Sequence, residues 1–247
     1  SITGPWSQPV YLNSIGFDPS LLHDTDGKCY LVNMVNGFKG VLVQQMDPET
    51  GALLGERRKV YSGSGIGCTE GPRIYHIGSW YYLVVAEGGT GYSHCVTIAR
   101  SDNVFGPYET MPDNPLLTSD QNDLTAIQKC GHASWCQGPD GRWFTAFLSS
   151  RPYYNKRCVL GRETSINEMV WGEDGWPYLK NGTVVPDFEF EGYGEKVPSR
   201  YFDYTFGTGE FYREFQSLRI PCRHQFGPGN VLRIYGGESL YSNQRQN

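Results

Sequence analysis

Three residues with reactive side chains stand at comparable points of the sequence: Asp18 in "GFDPS", Glu70 in "CTEGP" and His132 in "CGHAS". Each lies at or just ahead of a strand-like run. Two carboxylates and an imidazole on one pocket can perform general acid–base work. Against a neutral sugar, such a pair suits cleavage of a glycosidic bond. One carboxyl must then stay protonated, through burial or a nearby negative charge. If water attacks directly, acid and base stand roughly 6.5–9.5 Å apart so that the water fits between them. Taken singly, each residue has a plainer reading. Asp before Pro starts turns, a strand-end Glu can answer a cation, and a lone His can sit satisfied in a core. The Gly71-Pro72 pair behind Glu70 reads as a turn.

The elements that must carry these residues are strands. Aromatics make up 14% of the 247 residues, with 31 glycines and 15 prolines, a mix that favours short strands and tight turns. No segment holds a helical period for more than a turn or two. Three stretches align: "DPSLLHDTDGKCYLVNM" (18–34), "GPRIYHIGSWYYLVVAEG" (71–88) and "GHASWCQGPDGRWFTAFLSS" (131–150). Each has a polar cluster, a short strand, a turn at Gly27, Gly78 or Gly141, and an aromatic three residues later (Tyr30, Tyr81, Phe144). The glycines are 51 and 63 residues apart, room for two hairpins per repeat and the spacing of propeller blades. Segments 40–63 and 94–112 read as outer strand pairs. A β-sandwich with hairpins that resemble one another is the alternative. Blade-start residues of a propeller converge on its central channel, so Asp18, Glu70 and His132 are expected to meet there.

A composition shift near residue 186 marks a boundary. The reading is a propeller-type domain over 1–187, a Pro/Gly/Glu-rich linker over 188–200, and a second all-β domain over 201–247, short for an independent core.

The net charge of −5, with no basic run, argues against nucleic acid and anionic membrane as partners. Trp and Tyr instead fit a neutral ligand whose rings pack on aromatic faces. No run of roughly 18 apolar residues offers a membrane span. The opening "SITGPWSQPVYLN" lacks the pattern of a signal peptide. The seven cysteines (29, 68, 95, 130, 136, 158 and 222) form no C-x-x-C pair, so no zinc site is expected. They read mostly as reduced, buried, small apolar residues, with a Cys130–Cys136 bridge left open. Odd, scattered cysteines tilt the compartment toward the cytoplasm, although a sequon stands at Asn181-Gly-Thr183.

"GPWSQPVYLNSIGFDPSLLHDTDGKCYLVNM", "CTEGPRIYHIGSWYYLVVAEGGTGYSHCVTIARS", "QKCGHASWCQGPDGRW" and "CVLGRETSI" together resemble glycoside hydrolase family 43, in its β-xylosidase and α-L-arabinofuranosidase members. The resemblance covers nearly all of 3–178. It implies a five-bladed β-propeller, of which three to four blades are present, followed by the opening of a β-sandwich. It implies hydrolysis, with inversion, of xylan- or arabinoxylan-derived oligosaccharides. Glu70 matches the general acid, and Asp18 matches the carboxylate that raises the acid's pKa. His132 matches a channel histidine that in some members contacts a calcium, directly or through water. Arg162 in "LGRET" matches an arginine reaching the sugar hydroxyls, with Arg151 in "SSRP" a second candidate and Glu163 a structural partner for a cation. No cofactor is required; a structural calcium is the one metal the resemblance allows.

The family's catalytic base, an aspartate in the first blade, has no counterpart in this chain. The chain is accordingly expected to begin on the outermost strand of the second blade and to be nearly inactive alone. Unpaired sheet edges would favour a homo-oligomer or a complementing polypeptide. The reading from another functional class is a carbohydrate-binding propeller that does not cleave.

Overall fold

The computed structural model describes residues 4–120, 122–123, 125–158, 160–189, 192–193, 204–207, 215 and 222–236. Among them every regular element is a strand, apart from one 3-10 turn at Tyr154–Lys156. The chain divides into two compact units, 1–191 and 192–247.

Three antiparallel meanders form the first unit. Strands β1 (Gly16–His23), β2 (Cys29–Val35), β3 (Val41–Met46) and β4 (Leu53–Tyr61) pair in chain order. A second sheet holds β5 (Glu70–Ile77), β6 (Trp80–Glu87), β7 (Cys95–Ser101) and β8 (Glu109–Thr110), with β9 (Leu117–Thr118) also on β7. The third has β10 (Gln128–Gln137), β11 (Trp143–Ser150), β12 (Glu163–Trp171) and β13 (Pro177–Leu179). The three expected hairpin glycines sit in the inner turns with positive φ: Gly27 (83°), Gly78 (64°) and Gly141 (85°). A left-handed turn residue matches the twist of the flanking strands.

The sheets stack face to face in sequence order. β6 shows why. Its side chains alternate in direction, and Leu83 and Val85 enter one core while Tyr82 and Val84 enter another. The first core joins them to Val32, Met34, Val41 and Val43 of the first sheet. The second joins them to Trp135, Phe147 and Met169 of the third sheet. A strand covered on both faces must be a continuous apolar run, and "WYYLVVA" is one. The fold is all-β and of propeller type, with these three sheets as successive blades.

Three expectations need correction. Among the described residues ahead of β1, 4–15, where the outermost strand of a blade was expected, none is in a strand. Gly71-Pro72 is not a turn but lies inside β5, as Asp18-Pro19 lies inside β1. Both strands have a neighbour on one side only, where a missing N–H costs no ladder bond. All seven cysteines are free, and only Cys29, Cys95 and Cys130 are buried. Cys130 and Cys136 lie six positions apart on β10, roughly 20 Å at the rise of a strand, far beyond the reach of a disulfide.

In the second unit a hairpin of β14 (His224–Gly227) and β15 (Val231–Ile234) is described. Asn230 in its turn accepts from the Phe206 N–H at 2.7 Å and donates to the Tyr204 carbonyl at 2.6 Å. Most of the strands expected over 201–220, and most of the expected 188–200 linker, lie outside the described residues.

Candidate active site

Antiparallel register puts the candidate residues at one end of the sheets. β1 opens at Gly16 opposite Val35, β5 at Glu70 opposite Ala86, and β10 at Gln128 opposite Ser150. The same end carries the connections 36–40, 62–69, 88–94 and 151–162. Asp18, Glu70 and His132 therefore stand at the same end of the three sheets as these connections.

Each inner strand breaks register where its functional residue stands: between Phe17 and Ser20, between Glu70 and Arg73, and on both sides of Gly131. The backbone turns left-handed at Asp18 (φ 51°), Gly71 (φ 60°) and His132 (φ 57°). A bulge re-aims a side chain out of the alternating pattern. A non-glycine residue held there costs on the order of 1–3 kcal/mol, which the surrounding sheet must offset.

The three residues meet around Gly71. Its N–H donates to Asp18 Oδ2 at 2.9 Å. A Cβ on Gly71 would lie 2.8 Å from His132 Nε2, so the imidazole rests against its backbone. Ser20 Oγ donates to the Pro72 carbonyl at 2.6 Å and ties β1 to β5 beside the same point. Asp18, Glu70 and His132 are all half-buried. Burial raises the Glu70 carboxyl above its ordinary value, and the negative charge of Asp18 raises it further; His132 and Arg162 oppose this without reversing it. A carboxyl whose pKa is raised, beside a second carboxyl that accepts a backbone N–H, is the kind of asymmetry that acid catalysis uses.

Arg162 is exposed and close enough to act on Glu70 and His94 through its charge. Arg151 has a different place. It forms a two-pronged pair with Glu163, with nitrogen–oxygen distances of 2.6–3.1 Å, and its side chain is half exposed. Glu163 is thus the partner of a neighbouring cation.

Sequence reasoning passed over several residues that shape this site. His94 is fully buried, and a Cβ on Gly131 would fall 2.4 Å from its ring. Its Nδ1 donates to the Lys129 carbonyl at 3.0 Å, and its Nε2 has no partner among the described residues. Burial lowers its pKa. Glu87, Thr69 and Gly71 also escaped notice, because "EGGTG" and "TEGP" read locally as turns. The paired observation that every inner strand has a polar residue next to glycine or proline was the available signal for a bulge.

A calcium near His132 would need a cage of oxygens. Calcium takes six to eight oxygen ligands. Among the described residues no cluster of three or more His, Cys, Asp or Glu could hold a metal ion, and one of the two carboxyls at the junction, Asp18, already accepts from the Gly71 N–H. The residues present do not form a direct cage, and no step below runs through a metal.

Comparison with known proteins completes the description. A sequence model of the family "Glycosyl hydrolases family 43" matches residues 1–177. Xylosidase/arabinosidase 43B of Humicola insolens is 44% identical over 231 residues, 89% of this chain and 43% of that protein. The β-xylosidase of Bacillus subtilis strain 168 is 41% identical, covering 98% of this chain and 50% of its own length. Among solved structures, the xylan β-1,4-xylosidase of Bacillus halodurans C-125 superposes with a TM-score of 0.73 at 44% identity, over 80% of this chain and 40% of that one. The chain spans about half the length of the curated relatives it matches.

Proposed function

The chain belongs to glycosyl hydrolase family 43, and from that premise we propose that it carries the acid half of a β-xylosidase or α-L-arabinofuranosidase active site. Glu70 protonates the leaving oxygen. Asp18 keeps that proton in place by its charge. His132 and Arg162 shape the pocket for the terminal sugar, and Arg151 braces the loop behind Arg162 through Glu163. A carboxylate outside this chain activates the attacking water, and the anomeric centre inverts. The single observation that supports this reading is the Gly71 junction. It places a carboxyl with raised affinity for its proton beside a bonded carboxylate and an imidazole.

The two-carboxylate reaction needs no cofactor, and a calcium near His132 would act only on the shape of the channel. The substrate is the non-reducing end of an oligosaccharide derived from xylan or arabinoxylan. Residues 1–187 form the catalytic propeller portion, 188–200 connect, and 201–247 begin a sandwich. Self-association, or a complementing polypeptide that brings the base, completes the site.

The test is incubation of the chain with an aryl β-xyloside and an aryl α-L-arabinofuranoside, alone and with the remaining part of its parent protein. Turnover that appears only on complementation supports the reading. Sugar binding without turnover in both arms would replace it with a carbohydrate-binding module.

A further inference from the structure

Glu87, at the end of β6, is completely buried, yet all of its described partners are uncharged. The Ser64 N–H donates to Oε1 at 3.1 Å, and the Ser64 hydroxyl donates to Oε2. The Thr69 hydroxyl donates to Oε1 at 2.9 Å and the Thr97 hydroxyl to Oε2 at 2.6 Å. A buried carboxylate is costly unless its lone pairs are met, and here four donor groups from three residues in two segments meet them. Three of those four donors belong to 62–69, the connection that delivers the chain into Glu70. The same connection is held again by the Gly88 N–H, which donates to the Gly67 carbonyl at 2.9 Å. Gly63 is moulded onto the pair: a Cβ there would lie 2.2 Å from Thr69 Oγ1 and 2.7 Å from Glu87 Oε1.

We propose that Glu87 is a positioning residue: through Thr69, the neighbour of Glu70, it fixes the entry of β5 and so the direction in which the acid side chain enters the pocket. This rests on the reading of Glu70 as the acid. Thr69 is almost fully buried and sits one residue before the bulge, so the bond from its hydroxyl sets the backbone on which the left-handed step at Gly71 follows. Without the bond, Ser64 and the Gly67 carbonyl still hold the connection farther back, but the last residue before Glu70 loses its side-chain anchor, and with it the Gly71 amide loses its fixed aim at Asp18.

Amide hydrogen exchange on this chain tests the proposal without needing turnover. Thr69→Val keeps the shape and removes the hydroxyl, Thr69→Ser keeps the hydroxyl, and Glu87→Gln removes the charge. Thr69→Val is expected to speed exchange at Gly71 about tenfold relative to the amides of β6 and β7, with Thr69→Ser restoring it and Glu87→Gln acting as Thr69→Val does. Unchanged exchange at Gly71 in Thr69→Val, or a uniform rise across all three sheets, would overturn it. In the whole protein that carries this chain, Thr69→Val should slow an alkyl xyloside about tenfold more than a dinitrophenyl xyloside, whose leaving group needs no proton. An equal loss on both would also overturn the proposal. Absence of turnover in the unsubstituted protein would count against Glu70 as acid, and the exchange result would still decide the role of Glu87.

Discussion

At the scale of single residues, the site depends on the unequal environments of Glu70 and Asp18. Asp18→Asn removes the negative charge that helps hold the Glu70 proton. The pKa of Glu70 should then fall toward its ordinary value. Since the acid works protonated, the high-pH limb of the rate profile should move to lower pH, which a pH–rate series on the whole protein would read. The raised pKa of Glu70 also has a consequence for stability. A carboxyl that holds its proton more tightly when folded stabilises the fold below its unfolded pKa, and that gain is lost as pH rises through the folded value. Glu70→Gln should therefore be somewhat more stable than the parent at neutral pH, and this difference should vanish in acid; thermal melts at both pH values check it. Gly71→Ala combines a strained φ with a collision against His132 and should cost roughly 1–3 kcal/mol in denaturant titrations. Asp18, Glu70 and His132 were legible in the sequence because their types recur at matched strand starts. Gly71, Thr69 and Glu87 were not, because hydrogen bonds between distant segments leave no local pattern.

At the scale of elements, the far end of the inner strands is closed by a second polar junction. Asp24, in the β1–β2 turn, accepts from the Tyr81 hydroxyl at 2.7 Å and from His76 Nδ1. This latches the first sheet to the second. Burial alone would raise the Asp24 carboxyl, but the bonds from His76, Tyr81 and the Thr25 N–H outweigh it and hold the pKa low. A lowered pKa contributes stability above the unfolded value, near 4, that is lost as pH falls through the folded one. Asp24→Ala should cost about 2 kcal/mol at neutral pH by leaving two donors unanswered. The deficit should shrink on acidification below pH 4 in chemical denaturation. Hairpins were legible here, since "DTDG" and "GPDG" are turn chemistry in its plainest form. The bulges were misread because proline inside a strand looks like a stop until one knows that the strand has only one neighbour.

At the scale of the molecule, three stacked sheets account for the described part of the first unit, and the middle one is covered on both faces. The 51- and 63-residue spacing made the stacking legible. Periodicity could not say what covers the other faces of the first and third sheets. A shallow hollow on the first sheet is lined by Leu12, Phe17, Pro19, Leu31 and Asn33, next to Asp18. Leu21 on the same sheet is 49% exposed, and Ile166 on the third is 46% exposed. If the attacking water is activated by a carboxylate outside this chain, as proposed, turnover by the chain alone should fall short of that of the whole protein by roughly 10²–10⁴-fold, the worth of one acid–base group, which a side-by-side assay on an aryl xyloside would read.

The central claim is that Glu70 donates a proton to a departing sugar oxygen. Its most direct test compares Glu70→Gln with the unsubstituted whole protein on two xylosides that differ only in leaving group. The account predicts a loss of about 10²–10⁴-fold on the alkyl xyloside, with far less on the dinitrophenyl xyloside. Equal losses on both substrates, or none on either, would contradict it.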